Sequence, residues 1–140
     1  MIICEFATLT KYIPLITQDK IGEWIVDEKN DGRPERPIQM PFVHYSETVH
    51  EFIRDVSDFV DERKDLRLNQ YRDILEENEV GNGSRYVVDA DVSSLNGQSV
   101  AALIVAGIRA DRFSEGTLLR LFKEGYVTKW LKRLEEIDCS

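Results

Sequence analysis

The chain has 140 residues, with 26 Asp plus Glu against 18 Lys plus Arg and a formal net charge of -8. That length fits one ordinary domain, and a hydrophobic share of 42% is enough to build a core. The sign of the charge argues against a nucleic-acid binder, because affinity for phosphate comes from Lys and Arg that displace counterions.

The longest apolar run, Val100 to Ile108, is far short of the roughly 20 residues needed to span a bilayer. The opening Met1-Ile2-Ile3-Cys4-Glu5 lacks the basic start of a signal peptide. The expected location is therefore the cytoplasm, with no membrane partner. Cys4 and Cys139 are expected as reduced thiols. No Cys or His pair has metal-ligand spacing, so neither a metal nor a cofactor is expected.

In chain order, Phe6, Leu9, Ile13 and Ile16 have helical spacing, so a helix is expected over 5–17, kinked or ended at Pro14. Glu23 to Asp27 reads as a short strand and Ile38 to Val43 as its partner, with a turn at Asn30-Asp31-Gly32. Pro34, Pro37 and Pro41 confine this hairpin to an edge. Trp24 within it is either an exposed anchor for a partner or a cover for the core.

Ser46 or Thr48 then opens the clearest helix. Val49, Phe52, Ile53, Val56, Phe59 and Val60 fall in one arc, and Glu47, Glu51, Asp55, Asp58, Asp61 and Glu62 in the opposite one. A shorter helix is expected over 69–78, with Tyr71, Ile74 and Leu75 inward. Gly81-Asn82-Gly83-Ser84 breaks it, and Tyr86 to Val88 is a further short strand. Asn96 caps a helix that is apolar on nearly all sides, which marks it as the centre of the core. Ser114 is expected to cap the next helix, which carries Leu118, Leu119, Leu121 and Phe122 and stops at Gly125. A last helix carries Val127, Trp130, Leu131, Leu134 and Ile137. The fold class is thus mostly α (α+β): a single globular domain over 1–140, a bundle of five or six helices with a small two-stranded β-hairpin near the N-terminus.

Several residues invite a chemical reading. His44-Tyr45-Ser46 gathers a base and hydroxyls, but neighbours on a strand do not point at one another, and Ser46 suits an N-cap. His50 lacks the second histidine of a zinc-binding helix, because position 54 is Arg54. Asp89 and Asp91 resemble the start of a calcium loop without its later ligands. Gly81-Asn82-Gly83 lacks the Lys-Ser/Thr ending of a phosphate loop. The C-terminal helix pair has the outline of a helix-turn-helix with Lys129, Lys132 and Arg133, but Glu135 and Glu136 follow at once. No catalytic residue is assigned, and the reading leans away from an enzyme.

The excess of acid has a location. Residues 47–79 hold 11 acids against 5 bases, whereas residues 96–140 are nearly neutral. Glu51, Asp55, Asp58 and Glu62 lie 4, 3 and 4 residues apart, which sets carboxylates about 5–6 Å apart along one helix face. These four residues and Trp24 are the candidate partner-binding set, and the expected partner is a protein with a basic surface. The same face also fits the solvated side of an ordinary helix, with Arg54 interrupting it.

Several segments carry a resemblance: Lys11-Tyr12-Ile13-Pro14, Gly22 to Asp27, Pro37 to Pro41, Tyr45-Ser46, Arg109 to Phe113 with Gly116, and Gly125 through Leu134. On these the chain resembles a family of small bacterial domains of unknown function from gut bacteria and mobile elements. The resemblance implies no activity and no catalytic residues. It does imply a mobile-element setting, in which an acidic protein could act as an inhibitor of a nucleic-acid-binding defence nuclease by imitating DNA, in the manner of an anti-CRISPR. Beside the non-enzymatic interaction module, that inhibitor and an enzyme with a site near His44, Asp89 and Asp91 are the alternatives.

Overall fold

The computed structural model describes residues 6–18, 21–25, 42–77, 95–112 and 114–139. Two short helices, α1 (Ala7–Thr10) and α2 (Ile13–Gln18), come first. The expected single helix is broken at Lys11 and Tyr12, just ahead of Pro14 rather than at it. Pro14 stands in the first turn of α2, where no intrahelical N–H is required and its fixed φ suits a helix start.

Strands β1 (Gly22–Ile25) and β2 (Phe42–Tyr45) form an antiparallel pair in which Gly22 faces Tyr45 and Trp24 faces Val43. The hairpin is where it was expected: β2 shares Phe42 and Val43 with the predicted partner strand and runs on to Tyr45, while residues 38–41 lie outside the described residues. The turn at Asn30-Asp31-Gly32, the residues from Gly81 to Ser84 and the strand at Tyr86 to Val88 lie outside the described residues.

Helix α3 (Glu47–Glu62) is capped by Ser46, whose Oγ accepts the Val49 N–H at 3.3 Å. Thr48 falls inside the first turn, so the cap is Ser46 and not Thr48. Two single 3-10 turns, Lys64–Leu66 and Leu68–Gln70, lead into α4 (Tyr71–Glu77). Helix α5 (Gly97–Ala110) begins at Asn96, whose Oδ1 accepts the Ser99 N–H at 2.9 Å as the sequence suggests. Helices α6 (Thr117–Lys123) and α7 (Tyr126–Cys139) turn on Gly125.

Helix α5 is the centre of the core. It packs against α4, α6 and α7, and every residue from Ser99 to Ala106 is buried. Its lack of a polar face follows from that position, since each side meets another helix. Helix α3 lays Val49, Phe52, Val56 and Phe59 inward. Phe52 meets Tyr12 edge-on at 5.3 Å and Phe122 at 5.8 Å between ring centres. One continuous cluster runs from Phe6 to Leu134, joining both ends of the sequence. The Phe6 N–H donates to Asp138 Oδ2 at 3.0 Å, fastening α1 to α7. The mostly helical fold with a single small hairpin is what the sequence implies. No helix among the described residues is long and apolar enough to cross a membrane.

Candidate functional site

Helix α3 presents the predicted acidic row, but its four members differ in what they touch. Glu51, Asp58 and Glu62 are exposed, and none forms an ion pair with another described residue. Asp55 is half-buried and engaged within the fold. The Tyr12 hydroxyl donates to its Oδ2 at 2.5 Å, and Lys11 Nζ stands 3.1 Å from the same oxygen. The Tyr12 hydrogen bond, followed by the Lys11 charge, outweighs burial and holds the Asp55 carboxyl below its ordinary value of 3.8. The free row is therefore Glu51, Asp58 and Glu62, while Asp55 ties α3 to the turn between α1 and α2.

Trp24 is 46% exposed, and one edge of its indole lies over Gly116. Gly116 has φ of +96° and no side chain, and a Cβ there would overlap the indole.

This contact belongs to a junction that the sequence does not reveal. Asp111 Oδ1 accepts the N–H groups of Gly116 at 3.0 Å and Leu118 at 3.1 Å, and also the Tyr45 hydroxyl at 2.9 Å. The Tyr45 hydroxyl in turn accepts the Leu119 N–H at 3.1 Å. Two of the orphan N–H groups at the start of α6 are thus satisfied from the end of α5 and a third from β2. The expected cap, Ser114, gives only its backbone carbonyl, to the Thr117 N–H and hydroxyl. Gly116 occupies the position just ahead of the helix and has no side chain to cap with, so a carboxylate further back takes the role. Burial, then the bond to Asp111, pushes the Tyr45 hydroxyl well above its ordinary value of 10.0. Tyr12 is raised in the same direction by burial and by Asp55.

The histidines do not join these groups. His44 is exposed on β2, and Tyr45, the next residue, turns to the opposite face and is buried. His50 is exposed, with its ring 6.5 Å from that of Tyr45. Asp89 and Asp91 lie outside the described residues, as does Cys4. Among the described residues no group of three or more His, Cys, Asp or Glu is placed to hold a metal. In the C-terminal helix pair, Arg133 is turned inward. Its guanidinium donates to the Leu95 carbonyl at 3.1 and 3.3 Å and reaches Glu136 at 3.4 Å.

A cleft that sequence reasoning missed lies where α4 meets the end of α5. It has a volume of about 460 Å³ and is lined by Tyr71, Arg72, Asp73, Arg109 and Arg112 among others. The Tyr71 ring is flanked by two guanidiniums, Arg72 at 5.8 Å and Arg109 at 5.5 Å from its centre. A smaller hollow of about 210 Å³ between α3 and α5 shares Arg109 and Arg112. The one local sign of it in the sequence is the spacing of Arg109 and Arg112, one turn apart; Arg72 is distant and arrives only through folding.

A family model matches residues 4–139, almost the whole chain, and its description reads "Family of unknown function (DUF6508)". The chain belongs to this family. No curated protein and no solved structure matches it. Within this DUF6508 chain, some of the segments that carried the resemblance meet one another: Trp24 lies on Gly116 and Tyr45 donates to Asp111.

Proposed function

We propose that this protein is a non-enzymatic interaction module, one domain over residues 1–140, that binds a protein partner in the cytoplasm. Its contact surface in this reading is the carboxylate row of α3, with Trp24 as a second contact. The observation that carries the reading is the state of Glu51, Asp58 and Glu62. All three are exposed on one helix and none is neutralised by a described cation. Such a row attracts a basic surface and steers its approach.

A narrower form makes the row a stand-in for a phosphate backbone that blocks a nucleic-acid-binding enzyme, encoded by a bacterial mobile element. The geometry favours it less than the general form. With Asp55 held by Tyr12 and Lys11, the free carboxylates are seven and then four residues apart, which is less regular than a phosphate chain.

The test is a binding comparison in which Asp55 is left intact, since neutralising it would disturb the fold. The protein retains a basic partner from host lysate at low salt and releases it as salt rises. The triple variant Glu51→Gln, Asp58→Asn, Glu62→Gln retains that partner at least tenfold less. Equal retention by the triple variant would refute the acidic-face reading.

A further inference from the structure

The acidic total conceals a cationic corner. Arg72 comes from α4, Arg109 from the last turn of α5, and Arg112 from the turn beyond it, where its N–H donates to the Arg109 carbonyl at 3.1 Å. Among the described residues none of the three forms an ion pair, although Asp73 lines the cleft and Asp61 the hollow. The negative end of the α5 dipole explains a cation at Arg109. It does not explain Arg72, which comes from another element, or the clamping of Tyr71 between two guanidiniums. Contact with the Tyr71 ring lowers the rotamer freedom that these two side chains lose on meeting a ligand. The hollow next to the cleft has a mixed lining, with Val56, Val60, Val105 and Ile108 beside Ser57, Asp61 and the two shared arginines.

From this arrangement we propose that the cleft and the hollow together bind a nucleoside phosphate. The phosphate oxygens lie on Arg72, Arg109 and Arg112, whose planar forks match phosphate oxygens in pairs. The uncharged nucleoside rests against Val56, Val60, Val105 and Ile108 of the hollow. Asp61, which also lines the hollow, accepts from ribose hydroxyls. The larger cavity falls in the usual range for small-molecule sites, roughly 300–1,000 Å³. This site is independent of the acidic face of α3 and stands or falls separately from it.

Calorimetric titration of the full chain tests the proposal, with ADP, GDP, adenosine and inorganic phosphate as probes. At least one of the two nucleotides binds with a submillimolar Kd, about tenfold or more tighter than either phosphate or adenosine, because both halves of the site are used. The double variant Arg109→Gln, Arg112→Gln weakens it by about tenfold or more, and so does Arg72→Gln alone, with thermal midpoints kept near wild type because Arg72 and Arg112 are exposed. Four results would overturn it. One is no heat with either nucleotide at about 5 mM, and a second is undiminished affinity in the double variant. A third is phosphate binding as tightly as the nucleotide. The last is a single-stranded RNA oligonucleotide outcompeting both nucleotides at this corner, which would make it part of a polymer-binding surface instead.

Discussion

The Tyr45 hydroxyl donates to Asp111 Oδ1 at 2.9 Å, across 66 residues of sequence, and so ties the hairpin to the start of α6. The same hydroxyl accepts the Leu119 N–H, so removing it strands a donor and weakens an acceptor at once. Tyr45→Phe is therefore expected to cost about 1–3 kcal/mol, measured as a lower urea midpoint near neutrality with an unchanged slope.

The raised Tyr45 hydroxyl also fixes the sign of an alkaline effect. The folded state keeps its proton above the ordinary value of 10.0, where the unfolded chain has lost it. Stability from this group is therefore complete below that value and declines as pH rises through it towards the folded value. Wild type should lose stability above about pH 10, and Tyr45→Phe should show a shallower decline, with Tyr12 supplying the rest. Equal slopes in urea titrations across that range would show that Tyr45 titrates freely in the fold.

Asp55 predicts the opposite limb. Its folded-state value is depressed, so the stability it supplies is complete above the ordinary 3.8 and is lost as pH falls through the folded value. Tyr12→Phe should cost about 1–3 kcal/mol near neutrality and flatten the acid limb. Lys11→Ala should cost under about 1 kcal/mol, because the lysine side chain is 56% exposed and the solvent screens it. Thermal melts at several pH values separate the two.

Gly116 and Gly125 both have positive φ, at 96° and 84°, but only Gly116 is covered. Alanine at Gly125 meets open space and should cost only backbone strain, about 1–2 kcal/mol. Alanine at Gly116 bears the same strain and in addition displaces the Trp24 indole, so its cost should exceed that of Gly125→Ala by about 1 kcal/mol or more. Trp24 fluorescence should shift in Gly116→Ala and stay unchanged in Gly125→Ala, while the buried Trp130 reports equally in both.

Ser99 is fully buried, and among the described residues its Oγ has no hydrogen-bond partner. Removing an unsatisfied buried hydroxyl relieves a desolvation penalty and leaves only a small void. Ser99→Ala should therefore be neutral or more stable by up to about 1 kcal/mol. Leu103→Ala, one turn on in the same helix and likewise fully buried, should lose about 2–5 kcal/mol. Chemical denaturation of the pair distinguishes a polar burden from ordinary core packing.

What could be read in the sequence follows the range of the interaction. Helices α3, α5 and α7 announce themselves because their apolar residues recur with the helical period, and Ser46 and Asn96 stand directly before the helices they cap. Ser114 does not cap α6, because the group that satisfies its start, Asp111, stands at the end of α5, five residues ahead of Gly116, where sequence spacing gives no sign of a cap. Leu68 was missed as a core residue because it is isolated among polar neighbours, and only the turn that carries it makes it inward-facing. In the acidic row, spacing gave the face, but it could not show that Asp55 faces Tyr12 and Lys11 from a separate element. The arginine cleft was unreadable for the same reason, because Arg72 and Arg109 are far apart in the chain and meet only through the packing of α4 on α5.

Two four-residue strands do not hold together unaided in water, and this pair is moored by Val43 N–H to Glu115 at 2.6 Å, by Trp24 on Gly116 and by Tyr45 on Asp111. These three moorings end in the loop between α5 and α6, at Asp111, Glu115 and Gly116, and the Leu119 N–H adds a fourth from the first turn of α6. The hairpin and that loop should therefore open together as one local unit while α5 stays closed, exchanging their amide hydrogens through a smaller free-energy gap than the protein's global unfolding.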